Sequence, residues 1–463
     1  MNDSRIRDFE LFTEGLMEYS SSRCLALRAV SKDGRILYEN YYGYRDEDKR
    51  LRPDRDTIFG LASVTKSFTA LSVMKLQEEG KLSVDDEISS YVPCFRDPSG
   101  MPPVRIRHFL SHTGGFFPKS RILTENVAES LGIKDSLEHE LIYDKALLDE
   151  GLRLVATRLS EDHSRLEAPG KLFSYCNDGF GILSEIVRMA SGYDSFAGYV
   201  EKEILEPLGM KRSTMSFIRP ALDSNAAVLY TEENGTLTCD RNYLNDAFVL
   251  NGGGAMKSTI SDLTEYLLMY LNSGLSGKGI RIAGKSSIDE MMVPRIYVSP
   301  GVSYCYGLEE STYGDVRYIE HGGSLPGVSS VIAFSPEREI GITVLSNTMG
   351  VPVSAVARKL FSVLSGIDTD SKGYEKSSYS DYILKNSEGI YHSDEGDTVE
   401  VKRDGDLLLI FRNGKQQDHM SISPVSGIIE GRYTDTFFEF ITDDRRGIYA
   451  LRFGSRIFPR TRV

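Results

Sequence analysis

Residues 59–70 read Phe59-Gly60-Leu61-Ala62-Ser63-Val64-Thr65-Lys66-Ser67-Phe68-Thr69-Ala70, and the chain continues through Leu71 and Glu79 to Gly80. Val64, Phe68, Leu71 and Met74 fall on one helical face, and Val73 and Leu76 widen it. This predicts a mostly buried helix that starts near Ser63. Gly80 stands where a left-handed C-terminal residue belongs. Ser63 and Lys66 are three apart, so a helix points both side chains the same way. A serine hydroxyl is a poor nucleophile until a base takes its proton. A desolvated lysine has a lowered pKa and can share that proton. The free N–H groups of a helix start face any negative charge that forms there. The same pattern recurs at Ser72 and Lys75, where it is read as accidental, so the assignment needs support from elsewhere in the chain.

At 463 residues the chain is too long for a typical single domain. Its 40% hydrophobic and 26% charged residues predict a soluble globular protein. A net charge of −13 argues against nucleic acid as a partner. No apolar run is long enough to span a membrane. Met1-Asn-Asp-Ser-Arg lacks the basic stretch and apolar core of a signal peptide. Cys24, Cys94, Cys176, Cys239 and Cys305 are odd in number and scattered, which predicts reduced thiols in a cytoplasmic protein.

Outward from the Ser63 stretch, residues 1–23 pattern as an amphipathic helix. Residues 24–30 and 35–42 pattern as a β-hairpin of an antiparallel sheet. Within 104–115, His108 and His112 are four apart, but the acidic partner of a His-Glu-x-x-His metal site is missing, so a short helix and a Thr-Gly-Gly turn are expected. Residues 116–170 are charged, helical in pattern and expected to be peripheral. Residues 168–180 form a turn and a short extended piece, which would present Tyr175 and Asn177 on one side. Helical segments and loops are expected over 191–310, including a Gly-rich turn at Asn251-Gly-Gly-Gly and a helix from Ile260 to Leu271 capped by Ser258 or Thr259. Gly279-Ile-Arg-Ile-Ala-Gly284-Lys285-Ser286 matches the phosphate-loop pattern, yet Ile-Arg-Ile-Ala reads as a strand and no buried strand precedes it, so the match is read as coincidence. The sheet is expected to resume at 314–320, to turn at His321-Gly-Gly-Ser-Leu-Pro-Gly, and to continue over 328–334 and 340–346. A helix over 353–364 covers it. Residues 366–382 read as a linker, and the closely spaced short strands beyond predict a small antiparallel barrel or sandwich without a catalytic cluster.

Ser63-x-x-Lys66, Tyr175-Cys176-Asn177 and His321-Gly322-Gly323-Ser324 each have a part in an acyl transfer. Ser63 attacks a carbonyl, Lys66 and Tyr175 share the base role, and Tyr175 returns the proton to the leaving group. Asn177 holds a substrate amide and fixes Lys66. Gly322 and Gly323 let a strand edge approach the substrate, and the N–H groups of Ser63 and Ser324 form an oxyanion hole. His321 borders the site as a hydrogen-bond donor or polariser. Cys176 fills space between two site residues and is a candidate for thiol modification. No metal or organic cofactor is implied. The partner is a small peptide or ester substrate, and assembly into a homo-oligomer is left open.

The order and flanks of these pieces resemble the serine β-lactamase and penicillin-binding-protein superfamily, whose Ser-x-x-Lys, Ser/Tyr-x-Asn and Lys-Thr-Gly elements form a set. The branch most similar is that of class C β-lactamase-related hydrolases, or S12 peptidases. The supporting phrases are Phe59-Gly-Leu-Ala-Ser-Val-Thr-Lys, Ile106-Arg-His-Phe-Leu-Ser-His-Thr-Gly-Gly, Phe173-Ser-Tyr-Cys-Asn, Gly252-Gly-Gly-Ala-Met-Lys-Ser-Thr and His321-Gly-Gly-Ser-Leu-Pro-Gly. The resemblance implies an α/β (α+β) fold: an antiparallel sheet flanked by helices, plus a helical subdomain with the site between them. It implies a hydrolase domain over 1–366, a linker over 367–381 and a lipocalin-like β-barrel over 382–463. His321 stands where the set has a lysine that helps to bind a substrate carboxylate, which weakens the case for β-lactams and for peptides with a free C-terminal carboxylate. Members with His at this place include D-aminopeptidases.

The expected activity is therefore that of a serine peptidase or amidase acting through an acyl-enzyme on short peptides, including those with D-residues. A carboxylesterase using the same residues is the nearest alternative. A weak β-lactamase or D,D-peptidase and a catalytically silent binding scaffold are the others.

Overall fold

The computed structural model of the chain describes residues 3–97, 100–120, 122–134, 136, 139–161, 165–233, 236–243, 250–369 and 374–461. Its centre is an eight-stranded antiparallel sheet built from β1 (Cys24–Ser31), β2 (Ile36–Gly43), β3 (Ile296–Ser299), β4 (Val302–Tyr304), β5 (Glu309–Tyr313), β6 (Val316–Leu325), β7 (Val328–Ser335) and β8 (Ile340–Ser346), in the order β2-β1-β8-β7-β6-β5-β4-β3. Five helices matter for the site: α1 (Asp3–Tyr19), α2 (Thr65–Glu78), α3 (Asn177–Ser191), α4 (Ile260–Leu271) and α5 (Val353–Ser365).

Strand alternation sorts the core into two layers. Leu25, Leu27, Ala29, Val331 and Ala333 pack with Phe9, Leu16, Val356 and Leu360 of α1 and α5. Their strand neighbours Cys24, Ala26, Ile332 and Phe334 face α2, α4 and the helical subdomain. Both faces of these strands are covered, so they read as continuous apolar runs. Helix α2 is buried from Thr65 to Met74 and again at Leu76. Phe68 of α2 stacks on Tyr266 of α4 with centroids 3.9 Å apart. A helix enclosed on nearly every side explains how a lysine in its first turn is taken out of water.

The hairpin, the N-terminal helix, and the helices over 260–271 and 353–364 form where expected, and Thr259 caps α4 by accepting the Asp262 N–H at 3.1 Å. Four local expectations are corrected. His321 to Ser324 do not form a turn; they continue β6, because Gly322 and Gly323 pair with Val331 and Ser330 of β7. Residues 191–310 are not all helix and loop: β3, β4 and β5 were hidden by polar runs such as Glu309-Glu310-Ser311-Thr312. Ile280-Arg-Ile-Ala is a turn held by the single Leu275–Arg281 bridge, not a strand. The 116–170 region is helical at Thr124–Leu131 and Lys145–Leu159 but not peripheral, since Val127, Leu147, Val155 and Leu159 join the core around α2.

Beyond α5, residues 370–373 of the expected linker lie outside the described residues. The C-terminal strands are β9 (Gly389–His392), β10 (Thr398–Asp404), β11 (Leu407–Arg412), β12 (Lys415–Gln417), β13 (His419–Ser423), β14 (Ser426–Ile429), β15 (Thr436–Asp443), β16 (Gly447–Phe453) and β17 (Arg456–Pro459). They form a four-stranded sheet, β9 to β12, and a five-stranded sheet, β13 to β17, around Tyr391, Val401, Ile410, Phe438 and Leu451. A bridge from Tyr391 to Arg460 links the two at one edge. Ile441, Ala450 and Ile457 pack against Leu166, Phe117 and Leu172, so this region is seated on the rim of the helical subdomain. No helix among the described residues is long and apolar enough to cross a membrane.

Candidate active site

Ser63 lies in a 3-10 turn, Ala62–Val64, that runs directly into α2. The turn is strained: Ala62 has φ 45°, a left-handed conformation that costs a residue with a side chain about 1 kcal/mol. Its surroundings hold it there. Ser330 of β7 donates to the Leu61 carbonyl at 2.6 Å, Thr65 donates to the Ala62 carbonyl at 2.6 Å, and the Leu61 N–H donates to Met256 at 2.9 Å. Gly323 of β6 passes so close that a Cβ would lie 2.2 Å from the Leu61 carbonyl oxygen and 2.9 Å from the Ser63 nitrogen. That approach is what the glycine at 323 is for.

Lys66 Nζ lies 3.0 Å from Ser63 Oγ and donates to the Gly253 carbonyl at 2.8 Å. Lys66 is fully buried, and its pKa is well below the ordinary lysine value. Burial is the main cause, and the positive charge of Arg456 adds to it. Tyr175 is buried beside Ser63. Burial raises the Tyr175 pKa above the ordinary phenol value, while the Ser63 side chain and Arg456 pull it back in part. The Lys66 ammonium position is 4.8 Å from the Tyr175 ring centroid. The Lys66 nitrogen thus meets both Ser63 and the Tyr175 ring, with the amine biased to its neutral form and the phenol to its protonated form.

Tyr175 is held from behind. The His112 ring lies 4.0 Å from the Tyr175 ring, and His112 Nδ1 accepts the Cys176 N–H at 3.0 Å. His112 is neutral, because burial first and then the charge of Lys66 lower its pKa. His108 accepts the Arg105 N–H, so each of the two histidines has a backbone partner. Asn177 is not on the extended piece with Tyr175; it opens α3, where a helix start displaces the expected alternation. It still lines the cleft, while Lys66 is fixed by Gly253. The Cys176 thiol is buried and pushed up to about 12, chiefly by burial, so it is an unreactive thiol and not a ready site of modification.

His321 is 3% exposed, with both ring nitrogens engaged inside the protein. Nδ1–H donates to the Gly322 carbonyl at 2.7 Å, which leaves Nε2 to accept the Tyr304 hydroxyl at 2.9 Å. Burial and the nearby Lys66 push its pKa down to about 3. Ser324 is exposed at the cleft, and Gly322 and Gly323 form the strand edge beside it.

The cleft is about 570 Å3 and is lined by Ser63, Asn177, Gly253 and Ser324 from the hydrolase fold. Asp394, Glu395 and Arg456 close it from the C-terminal sheets. The C-terminal sheets, expected to hold no catalytic cluster, thus supply part of the cleft wall. Arg456 sits 4.8 Å from the Tyr175 ring centroid, pairs with Glu395 at 2.8 Å and donates to the Tyr175 carbonyl at 3.5 Å. The Tyr175 N–H donates to the Ser455 carbonyl at 3.4 Å. Arg456 starts a strand after a short turn, so in sequence it is indistinguishable from a solvated surface arginine. Gly253 did have a signal, the Gly-rich run at 252–254. A larger cavity of about 960 Å3 lies on the opposite face of the sheet near Glu309, Glu320 and Arg358, away from Ser63. Chemistry, not size, selects the smaller one.

A family model described as Beta-lactamase matches residues 17–365. The chain belongs to the Beta-lactamase family. Its curated relatives include protein flp of Staphylococcus aureus (strain NCTC 8325 / PS 47), 24% identical over 321 residues, which are 69% of this chain and 58% of flp. Penicillin-binding protein 4* of Bacillus subtilis (strain 168) is 25% identical over 330 residues, 69% of this chain and 67% of that protein. The match thus spans little more than half the length of flp. Among solved structures, the octameric penicillin-binding protein homologue from Pyrococcus abyssi aligns with a TM-score of 0.68 and 26% identity over 98% of both chains. SurE, solved with D-Leu, aligns with a TM-score of 0.70 over 99% of this chain, but at 17% identity that likeness speaks for the fold alone. The Beta-lactamase family match ends at residue 365, at the last residue of α5, whereas the alignments to the Pyrococcus protein and to SurE also take in the C-terminal sheets.

Proposed function

We propose that the protein is a serine hydrolase that cleaves amide bonds of short peptides, including peptides with D-residues, through an acyl-enzyme on Ser63. The observation that carries this reading is the 3.0 Å approach of a buried Lys66 amine to Ser63 Oγ. A neutral amine spends one N–H on Gly253 and keeps its lone pair for the Ser63 proton. Ser63 Oγ then bonds to the substrate carbonyl carbon, and the oxyanion is taken by the N–H groups of Ser63 and Ser324. Collapse breaks the C–N bond, and the proton passes from Lys66 through Tyr175 to the leaving amine. Water repeats the sequence on the acyl ester, giving up its proton to the same groups and freeing Ser63. Asn177 holds the substrate amide. His321 supports the strand edge, because both its nitrogens are already engaged.

In this reading residues 1–366 are the hydrolase domain, 367–381 a linker and 382–463 an appended lipocalin-like domain. The octameric state of the Pyrococcus homologue supports assembly of this chain into a homo-oligomer, which mass photometry would test. The activity itself is tested by kcat/KM on paired aminoacyl amides and short-chain esters of both chiralities. Turnover of amides, lost in Ser63→Ala, is the expected result. Turnover of esters alone would make the protein a carboxylesterase using the same groups.

A further inference from the structure

The Lys-Thr-Gly lysine is replaced by His321, so β6 brings no cation to the cleft: His321 is buried and held by Tyr304 and Gly322. Lys66 is enclosed behind Ser63 and committed to Gly253. Among the described residues lining the cleft, Arg456 is the one cation, and it comes from the C-terminal sheets. Its side chain is 29% exposed. Nε faces Glu395 at 2.8 Å and Nη1 reaches the Tyr175 carbonyl, and neither contact uses Nη2. The two lining acids are each offset: Glu395 by Arg456, and Asp394 by Lys119 at 3.5 Å. An anion entering the cleft therefore meets a guanidinium fixed by Glu395, with Nη2 not used by that pair or by the Tyr175 carbonyl.

The position of Arg456 says which part of a substrate it meets. It lies over the ring of Tyr175, and Tyr175 stands on the leaving-group side of Ser63 in the reaction derived above. A guanidinium held in place is well matched to a carboxylate, and charge-assisted hydrogen bonds of this kind are among the stronger ones.

We infer that Arg456 is a specificity-determining residue that binds the α-carboxylate of the leaving-group residue, so that the preferred substrates are short peptides ending in a free carboxylate one residue beyond the scissile bond. The inference rests on the serine hydrolase reading and deepens it. It also reverses the expectation drawn from His321: the cation missing from the strand is supplied by another region of the chain.

The test measures how well short dipeptides of both chiralities, each as free acid and as C-terminal amide, protect Ser63 from a fluorophosphonate probe, read by intact mass. In the wild type the free acids should protect at about ten-fold lower concentration than the matched amides. That ratio should collapse towards one in Arg456→Ala and recover in part in Arg456→Lys. Equal protection by acids and amides in the wild type, or an acid preference that survives in Arg456→Ala, would overturn the assignment. The wild-type ratio decides the matter even where Arg456→Ala loses its fold. Failure of the probe to label wild-type Ser63 would remove the hydrolase reading and this inference with it. Labelling without an acid preference would sink the Arg456 assignment alone.

Discussion

The Ser-x-x-Lys pattern occurs twice along one helical stretch, with two different fates. Ser63 and Ser72 are nine residues apart, which at 100° per residue places them on opposite sides of a helix. Ser72 is buried inside α2 and spends its hydroxyl on the Phe68 carbonyl at 2.8 Å. Lys75 reaches the surface and sits between Glu79 at 3.7 Å and Glu203 at 3.6 Å. Ser63 lies before the helix proper, so its hydroxyl is free of a carbonyl one turn back, and it meets a lysine whose partner is a backbone carbonyl and whose charge is opposed by burial and Arg456. The motif marks spacing. What sets the first pair apart is the strained turn ahead of the serine and the burial around the lysine.

The comparison is broken most severely by Lys66→Met, which should lower kcat on any amide the enzyme turns over by about 10^3-fold or more, without loss of fold. Retained activity would mean that Tyr175 alone is the base. Tyr175→Phe should cost less, about 10^2-fold, and more on amides than on esters, because an amine leaving group needs the returned proton.

The pH dependence sharpens the same contrast. Lys66 has its folded pKa below 10.5, so activity should fall as pH drops through that lowered value, with no limb from His321 or His112, which are neutral already. For stability the sign is the reverse of that of a paired lysine. Between the folded pKa and 10.5 the unfolded chain holds a proton that native Lys66 does not, so this group makes the fold more stable as pH rises through that window. Denaturant titrations should show a steeper slope in the wild type than in Lys66→Met, where buried Lys257, whose pKa is also lowered by burial, still contributes with the same sign. The smallest effects belong to the second pair. Ser72→Ala should leave kcat unchanged and cost roughly 1 kcal/mol of stability, and Lys75→Met should cost less than about 1 kcal/mol.

Much of this was legible before any coordinates. The one-sided pattern of 64–76 placed α2, and the strand-like runs at 24–30, 328–334 and 340–346 placed the centre of the sheet, because long-range packing there agrees with local preference. The strands β3 to β5 at one end of the sheet were not legible, since half-exposed strands carry polar residues that blur the period of two. The course of β6 through His321-Gly-Gly-Ser was misread because paired glycines signal a turn locally, while only the pairing with Val331 and Ser330 shows them in a strand. Ser63, Lys66 and Tyr175 come together as expected, and His321 lies just behind them. Arg456 was invisible because its role depends on the docking of Leu166, Ile441 and Ile457, a contact between segments almost 300 residues apart.

The most direct test of the central claim is intact-mass spectrometry after incubation with a fluorophosphonate probe, on wild type, Ser63→Ala and Ser72→Ala. One adduct on the wild type and on Ser72→Ala, absent in Ser63→Ala, is the predicted result. An adduct that persists in Ser63→Ala, or none on folded wild type when a control serine hydrolase reacts, would contradict the account.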